Sequence, residues 1–186
     1  LAPLIRLIRS HSLRFMNYAD DTQLIITVDP ASPDPFRIVQ DCMRDITSWL
    51  RNNYLKFNAE KTEVMCFCNA TIPSSLSSQF FTTLKISETT RAQVVRNLGI
   101  ELDEHLSMNV HVKKLSATCC SNLGVLRKIL PSIYPTFRPL ITQAMVCSRL
   151  DYCNVLFLGS PECVFQRLQQ IQSAAAKVAL GLPKRA

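Results

Sequence analysis

Residues 13 to 28, "LRFMNYADDTQLIITV", hold two β-forming runs, Leu13 to Tyr18 and Thr22 to Val28, separated by Ala19, Asp20 and Asp21. Short polar connections between such runs are hairpin signals, and a hairpin fixes antiparallel pairing and register at that point in the chain. The two aspartates then stand at its tip. No lysine or arginine lies between Met16 and Ile26 to neutralise them. The proline-rich "DPASPDP", residues 29 to 35, ends the hairpin as a loop.

Beyond it the apolar period changes. Phe36, Val39, Met43, Ile46 and Leu50 follow the 3.6-residue spacing of an amphipathic helix, with Asp34 placed to cap it and Pro35 at its first position. "NNYLKFNAEKTEVMCFC" turns at Asn52 and Asn53 and is predicted to end in a strand from Thr62 to Cys68. Residues 69 to 82 are rich in serine and read as an exposed loop. Short strands are predicted at Thr83 to Ser87, Gln93 to Arg96 and Leu98 to Leu102, before "DEHLSM" turns the chain. Helical spacing then runs from Asn109 to Leu130, Tyr134 to Arg149 and Glu162 to Leu180, punctuated by Pro131, Pro135, Gly159 and Pro161. The expected fold class is α+β, with strands and a helix in residues 1–104 and an all-helical part in residues 105–186.

Composition adds a direction. At 47% hydrophobic and 19% charged, 186 residues can bury one core of ordinary size or two small ones. The formal charge of +7 is uneven: after Glu104, ten basic residues face only Asp151 and Glu162. A polyanionic partner is therefore expected for the C-terminal part. The eight cysteines form no CxxC pair, and His11, His105 and His111 are scattered, so no zinc-ligand spacing is present. Buried, reduced thiols in an intracellular compartment are expected. No apolar run approaches the roughly 20 residues that cross a bilayer, and no membrane partner is expected. The sequon at Asn69 is read as chance, and a first residue of Leu1 suggests a protein that starts upstream.

Two carboxylates held close repel each other unless a proton or a cation intervenes. A divalent ion is the usual solution, and oxygen donors select Mg²⁺ or Mn²⁺. An ordinary polar turn is the plain alternative, since aspartate suits turns.

"YADD" between two apolar β runs resembles the catalytic hairpin of reverse transcriptases. The blocks that follow, "WLRNNYLKFNAEKTEVMCF", "VVRNLGIELDEHLSMNVHVKKL", "SRLDYCNVLFLG" and "LQQIQSAAAKVALGLP", are similar in content and order to the polymerases of non-LTR, LINE-type retrotransposons. This resemblance implies a partial palm, with the YADD hairpin, a helix and antiparallel strands, followed by a thumb-like helical region. It implies that Asp20 holds both catalytic Mg²⁺ (or Mn²⁺) ions and Asp21 assists. Tyr18 and Ala19 would lie near the primer end. Lys61 would act as general acid toward pyrophosphate, with Asn58 shaping its turn. Leu98 and Gly99 would form the primer grip, and Lys113, Lys114, Arg127 and Lys128 would follow the phosphates. The implied partners are an RNA template, a DNA primer duplex and, in the complete enzyme, dNTP, in cytoplasm and nucleus.

Only 19 residues precede Asp20, and none matches the first catalytic aspartate of that family. The expectation is a truncated or degraded polymerase, inactive alone, with an exposed apolar sheet edge and face where the missing strand would pair. A non-catalytic nucleic-acid-binding or interaction module is the alternative from another class. A generic two-metal phosphotransferase would need Glu60, Glu63, Glu101 or Asp103 beside Asp20. The aromatics Phe57, Phe67, Tyr134, Phe137, Tyr152 and Phe157 are read as core.

Overall fold

A computed structural model describes residues 2–29, 34, 36–67, 80, 82 and 92–183. Its first element is helix α1, Ala2–Ser10, a stretch for which the sequence analysis predicts no element. Nine residues are too few to stay helical in water alone. Leu4 and Ile8, one turn apart, are buried against Cys42 and Ile46 of α2, Arg37–Asn52. At about 1.5–3 kcal/mol for each large aliphatic side chain buried, that contact is what holds the helix. His11 Nε2 lies 3.0 Å from Asp45 Oδ2 and ties the end of α1 to α2.

Strand β1, Arg14–Tyr18, pairs antiparallel with β2, Asp21–Ile25, with Phe15 opposite Leu24 and Tyr18 opposite Asp21. Leu13, Phe15 and Leu24 pack onto the α1 and α2 core, and the Arg9 guanidinium lies 5.6 Å from the Phe15 ring centroid. The other face shows Met16, Tyr18 and Ile25 to solvent. Among the described residues this sheet has two strands.

α2 follows its apolar period, burying Val39, Cys42 and Ile46. Its expected cap does not form: Phe36 occupies the cap position without a side-chain bond, so Asp34 is not the cap. Pro35 lies outside the described residues. At the far end Asn53 donates from Nδ2 to the Trp49 carbonyl at 2.8 Å, and Tyr54 turns left-handed at φ 57°. Among the described residues the strand expected from Thr62 shows one bridge, at Val64, whose carbonyl accepts the Ala92 N–H at 3.0 Å. Cys68 and the strand expected at 83–87 lie outside the described residues. Within the stretch read as a loop, Phe80 and Thr82 are helical, and Phe80 meets Phe36 edge-on at 4.9 Å between centroids.

The molecule is α+β, and its contacts divide it into two compact units, Leu1–Ala92 and Gln93–Ala186. The second unit starts with β3, Val94–Asn97, and β4, Ile100–Asp103, paired antiparallel with Asn97 opposite Ile100. β4 packs on α3, Asn109–Ile129, which buries Val112, Leu115, Cys119, Leu123 and Leu126. Opposite them stand Val164, Ile171, Ala175 and Val178 of the C-terminal helix, Glu162–Ala179. The helix expected from Tyr134 to Arg149 is built in pieces: a 3-10 turn at Pro135–Phe137, α4 at Arg138–Thr142, a π segment at Gln143–Cys147 and α5 at Ser148–Asp151. Where the wider π turn disturbs the ladder, the Met145 carbonyl accepts Asn122 Nδ2 from α3 at 2.8 Å. The C-terminal helix is α6.

Thiol burial is mixed rather than uniform. Cys42 and Cys119 are buried, whereas Cys120 and Cys163 are exposed. Burial pushes the Cys42, Cys119 and Cys147 thiols up, which keeps them protonated and unreactive.

His111 joins β4 to α3. Its Nδ1 accepts the Glu101 N–H at 3.3 Å, and its ring stacks on Phe157 with centroids 6.0 Å apart. The bond requires an unprotonated Nδ1, and burial, with Lys114 adding to it against Glu101, holds the imidazole below its usual range. The unfolded chain therefore takes up a proton near pH 6.5 that the folded chain refuses. His111 stabilises the fold fully above about pH 6.5, and this contribution is lost as pH falls through its lower folded value. Thermal melts from pH 7.5 to 5 are expected to show a loss that His111→Phe reduces. An unchanged slope in that variant would contradict the assignment.

Candidate functional site

The β1–β2 register makes Ala19 and Asp20 a two-residue loop and places Asp21 as the first residue of β2. Asp21 thus shares the exposed sheet face with its partner Tyr18, which is 63% exposed, while Asp20 stands at the tip. Ala19 is left-handed at φ 53°, a conformation costing an L-residue about 1–2 kcal/mol. Asn17 supports it: its Nδ2 donates to the Asp21 carbonyl at 3.1 Å and to Thr22 Oγ1 at 2.9 Å. The strain is thereby locked beside the two carboxylates. Among the described residues, no ion pair involves Asp20 or Asp21.

The remaining candidates fall in several places. Lys61 is exposed at the end of a 3-10 turn, Ala59–Lys61, where its N–H donates to Asn58 Oδ1 at 3.3 Å. Asn58 thus shapes that turn. Among the described residues no ion pair links Lys61 to either aspartate. Leu98 and Gly99 are the β3–β4 turn, at φ 46° and 86°. Both values are positive, as a type I′ turn requires.

On α3, Lys113 and Lys114 lie in the first turns and Arg127 and Lys128 in the last, with no acidic residue in the helix. Lys114 Nζ pairs with the Glu101 carboxylate, so its charge is already met. Lys113 and Lys128 are exposed, and Arg127 is half-buried. The cations at the C-terminal end also suit the helix dipole.

Within the second unit Glu101 and Asp103 are both already engaged, Glu101 by Lys114. Asp103 accepts N–H bonds from His105 at 3.1 Å and Ser107 at 2.9 Å, and its other oxygen accepts the Ser107 hydroxyl at 2.9 Å. Burial pushes this carboxyl up, but the Ser107 and His105 bonds outweigh it and hold it below the usual range. Both acids serve the β4–α3 junction. Among the described residues no group of three or more His, Cys, Asp or Glu could hold a metal ion.

No family model, curated protein or solved structure matches the chain. No helix among the described residues is long and apolar enough to cross a membrane.

The core reading of the aromatics needs correction. Phe157 is buried, but Phe67, Tyr134, Phe137 and Tyr152 are more than half exposed, and all four lie outside the long helices. Tyr152 is the functional candidate that sequence reasoning missed. Its hydroxyl donates to the Leu98 carbonyl at 2.6 Å. A link across 54 residues leaves no local signal in the sequence.

Proposed function

We propose that this chain is the C-terminal palm and thumb portion of an RNA-directed DNA polymerase of the non-LTR, LINE type. The reading is carried by "YADD" at the end of an antiparallel hairpin, with both carboxylates exposed and no ion-pair partner among the described residues. The order of the downstream blocks supports it. Asp20 and Asp21 are hard oxygen donors that fit Mg²⁺ or Mn²⁺. Such ions, when bound, would supply activation of a primer 3′ hydroxyl and charge stabilisation for leaving pyrophosphate. Asp20 would hold them with help from Asp21, while Tyr18 and Ala19 border the primer end and Lys61 supplies a proton to the leaving group. Lys113, Arg127 and Lys128 would meet the phosphates of a template–primer duplex, with Lys114 available only on release from Glu101.

Two carboxylates make half a site, because a third acidic ligand has no counterpart among the 19 residues before Asp20. Primer extension on poly(rA)/oligo(dT) with Mg²⁺ or Mn²⁺ is expected to give no template-dependent synthesis from these 186 residues. Synthesis that Asp20→Ala abolishes would show that the site is complete and contradict this part of the reading.

The acid-free α3 with its four cations favours a second reading, a nucleic-acid-binding module without chemistry.

A further inference from the structure

The β3–β4 turn is strained and yet held. Leu98 is a non-glycine residue in the left-handed region, and Gly99 follows it there. Leucine at such a position is disfavoured, and it persists only where surrounding structure over-determines the backbone. The β3–β4 pairing imposes it, and Tyr152 supports it from outside the hairpin. Its hydroxyl donates to the Leu98 carbonyl at 2.6 Å, and its Cε1 would stand 3.7 Å from a Cβ built on Gly99. One side of the turn is therefore covered by the phenol ring.

Tyr152 is itself fixed at its C-terminal side. Cys153 is left-handed at φ 54° and starts the 3-10 turn Asn154–Phe157, whose Phe157 is sunk in the core of the second unit. The chain thus reverses sharply after Tyr152 and is anchored five residues later. The phenol is presented to the turn from a segment anchored by Phe157.

We propose that Tyr152 is a positioning residue: its hydroxyl holds the Leu98–Gly99 turn in the conformation that offers the turn's backbone to a template–primer duplex. This rests on the reading of the chain as a polymerase portion. Tyr152 does not touch the nucleic acid in this account. It acts through the turn, so its removal leaves phosphate contacts in number unchanged.

The experiment compares the full chain with Tyr152→Phe, which keeps the ring and removes the hydroxyl. Amide hydrogen exchange at Gly99 and Ile100 is expected to rise roughly three- to tenfold, the range set by one net hydrogen bond. The Kd for a poly(rA)·oligo(dT) duplex is expected to rise by a similar factor, with its salt dependence unchanged. A second variant separates positioning from contact. Leu98→Asn in the Tyr152→Phe background creates the Asn-Gly pair that favours this turn, and is expected to restore both turn protection and affinity.

Faster exchange with an unchanged Kd would reduce Tyr152 to a structural role and overturn the proposal. So would restored protection without restored affinity. Failure of the unsubstituted chain to bind the duplex would instead sink the polymerase reading, and this proposal with it.

Discussion

Replacing Phe157 by alanine is expected to destabilise the Gln93–Ala186 unit by about 3–5 kcal/mol, the range for a buried aromatic cut back to a methyl. Three features put it at the upper end. The side chain is 2% exposed, so nearly all its surface has been withdrawn from water. Its ring stacks on His111, which in turn accepts the Glu101 N–H, so the cavity would open beside a buried polar junction. Val155, Leu156 and Leu158 around it are exposed, leaving Phe157 as the buried anchor of its segment. Urea titration followed by signals from this unit should show a lower midpoint with an unchanged slope. A loss under about 1 kcal/mol would mean that the segment is held elsewhere, and would weaken the case for Tyr152 as a fixed group.

How much of this could be read from the residues differs by element. α2, α3 and α6 announce themselves because long stretches repeat their apolar positions every three or four residues. The hairpin was legible because both of its runs are β-forming and the polar break is short. Its register was not: Asp21 lies outside the loop, as the first residue of β2. α1 escaped because nine residues give little more than two turns of pattern, and its stability comes from α2. The strand expected from Thr62 was a pattern of alternating apolar residues, and among the described residues only Val64 makes a bridge. Local alternation cannot supply a neighbour. The π segment at Gln143–Cys147 was invisible for a similar reason, since its carbonyl is satisfied by Asn122 from another helix.

The candidate site divides along the same line. Asp20, Asp21 and Asn58 could be named from short motifs, because what they do locally depends on close neighbours in sequence. The employment of Glu101 by Lys114, and of Tyr152 by Leu98, spans 13 and 54 residues. Such pairs are set by tertiary packing. In the proposed function they remove one cation from the set that would meet phosphates and add one residue that would position the β3–β4 turn.

The second large effect concerns that set. A protein that neutralises phosphates releases condensed counterions, so affinity falls with salt at about 0.9 of a logarithmic unit per contact. In the proposed function Lys113, Arg127 and Lys128 would give three contacts, and Lys114 a fourth if the duplex draws it from Glu101. The expected slope is about −3 to −4, which weakens binding roughly 40- to 150-fold between 50 and 200 mM salt. Replacing Lys113 and Lys128 together by glutamine should flatten the slope by about two and leave the fold intact, since both side chains are exposed.

The proposed function has these residues grip a template–primer duplex. A titration of the full chain against poly(rA)·oligo(dT) at several salt concentrations tests it most directly. Measurable binding is expected at low salt, falling with a slope of about −3 to −4. No binding at low salt, or binding that salt leaves unchanged, would contradict it.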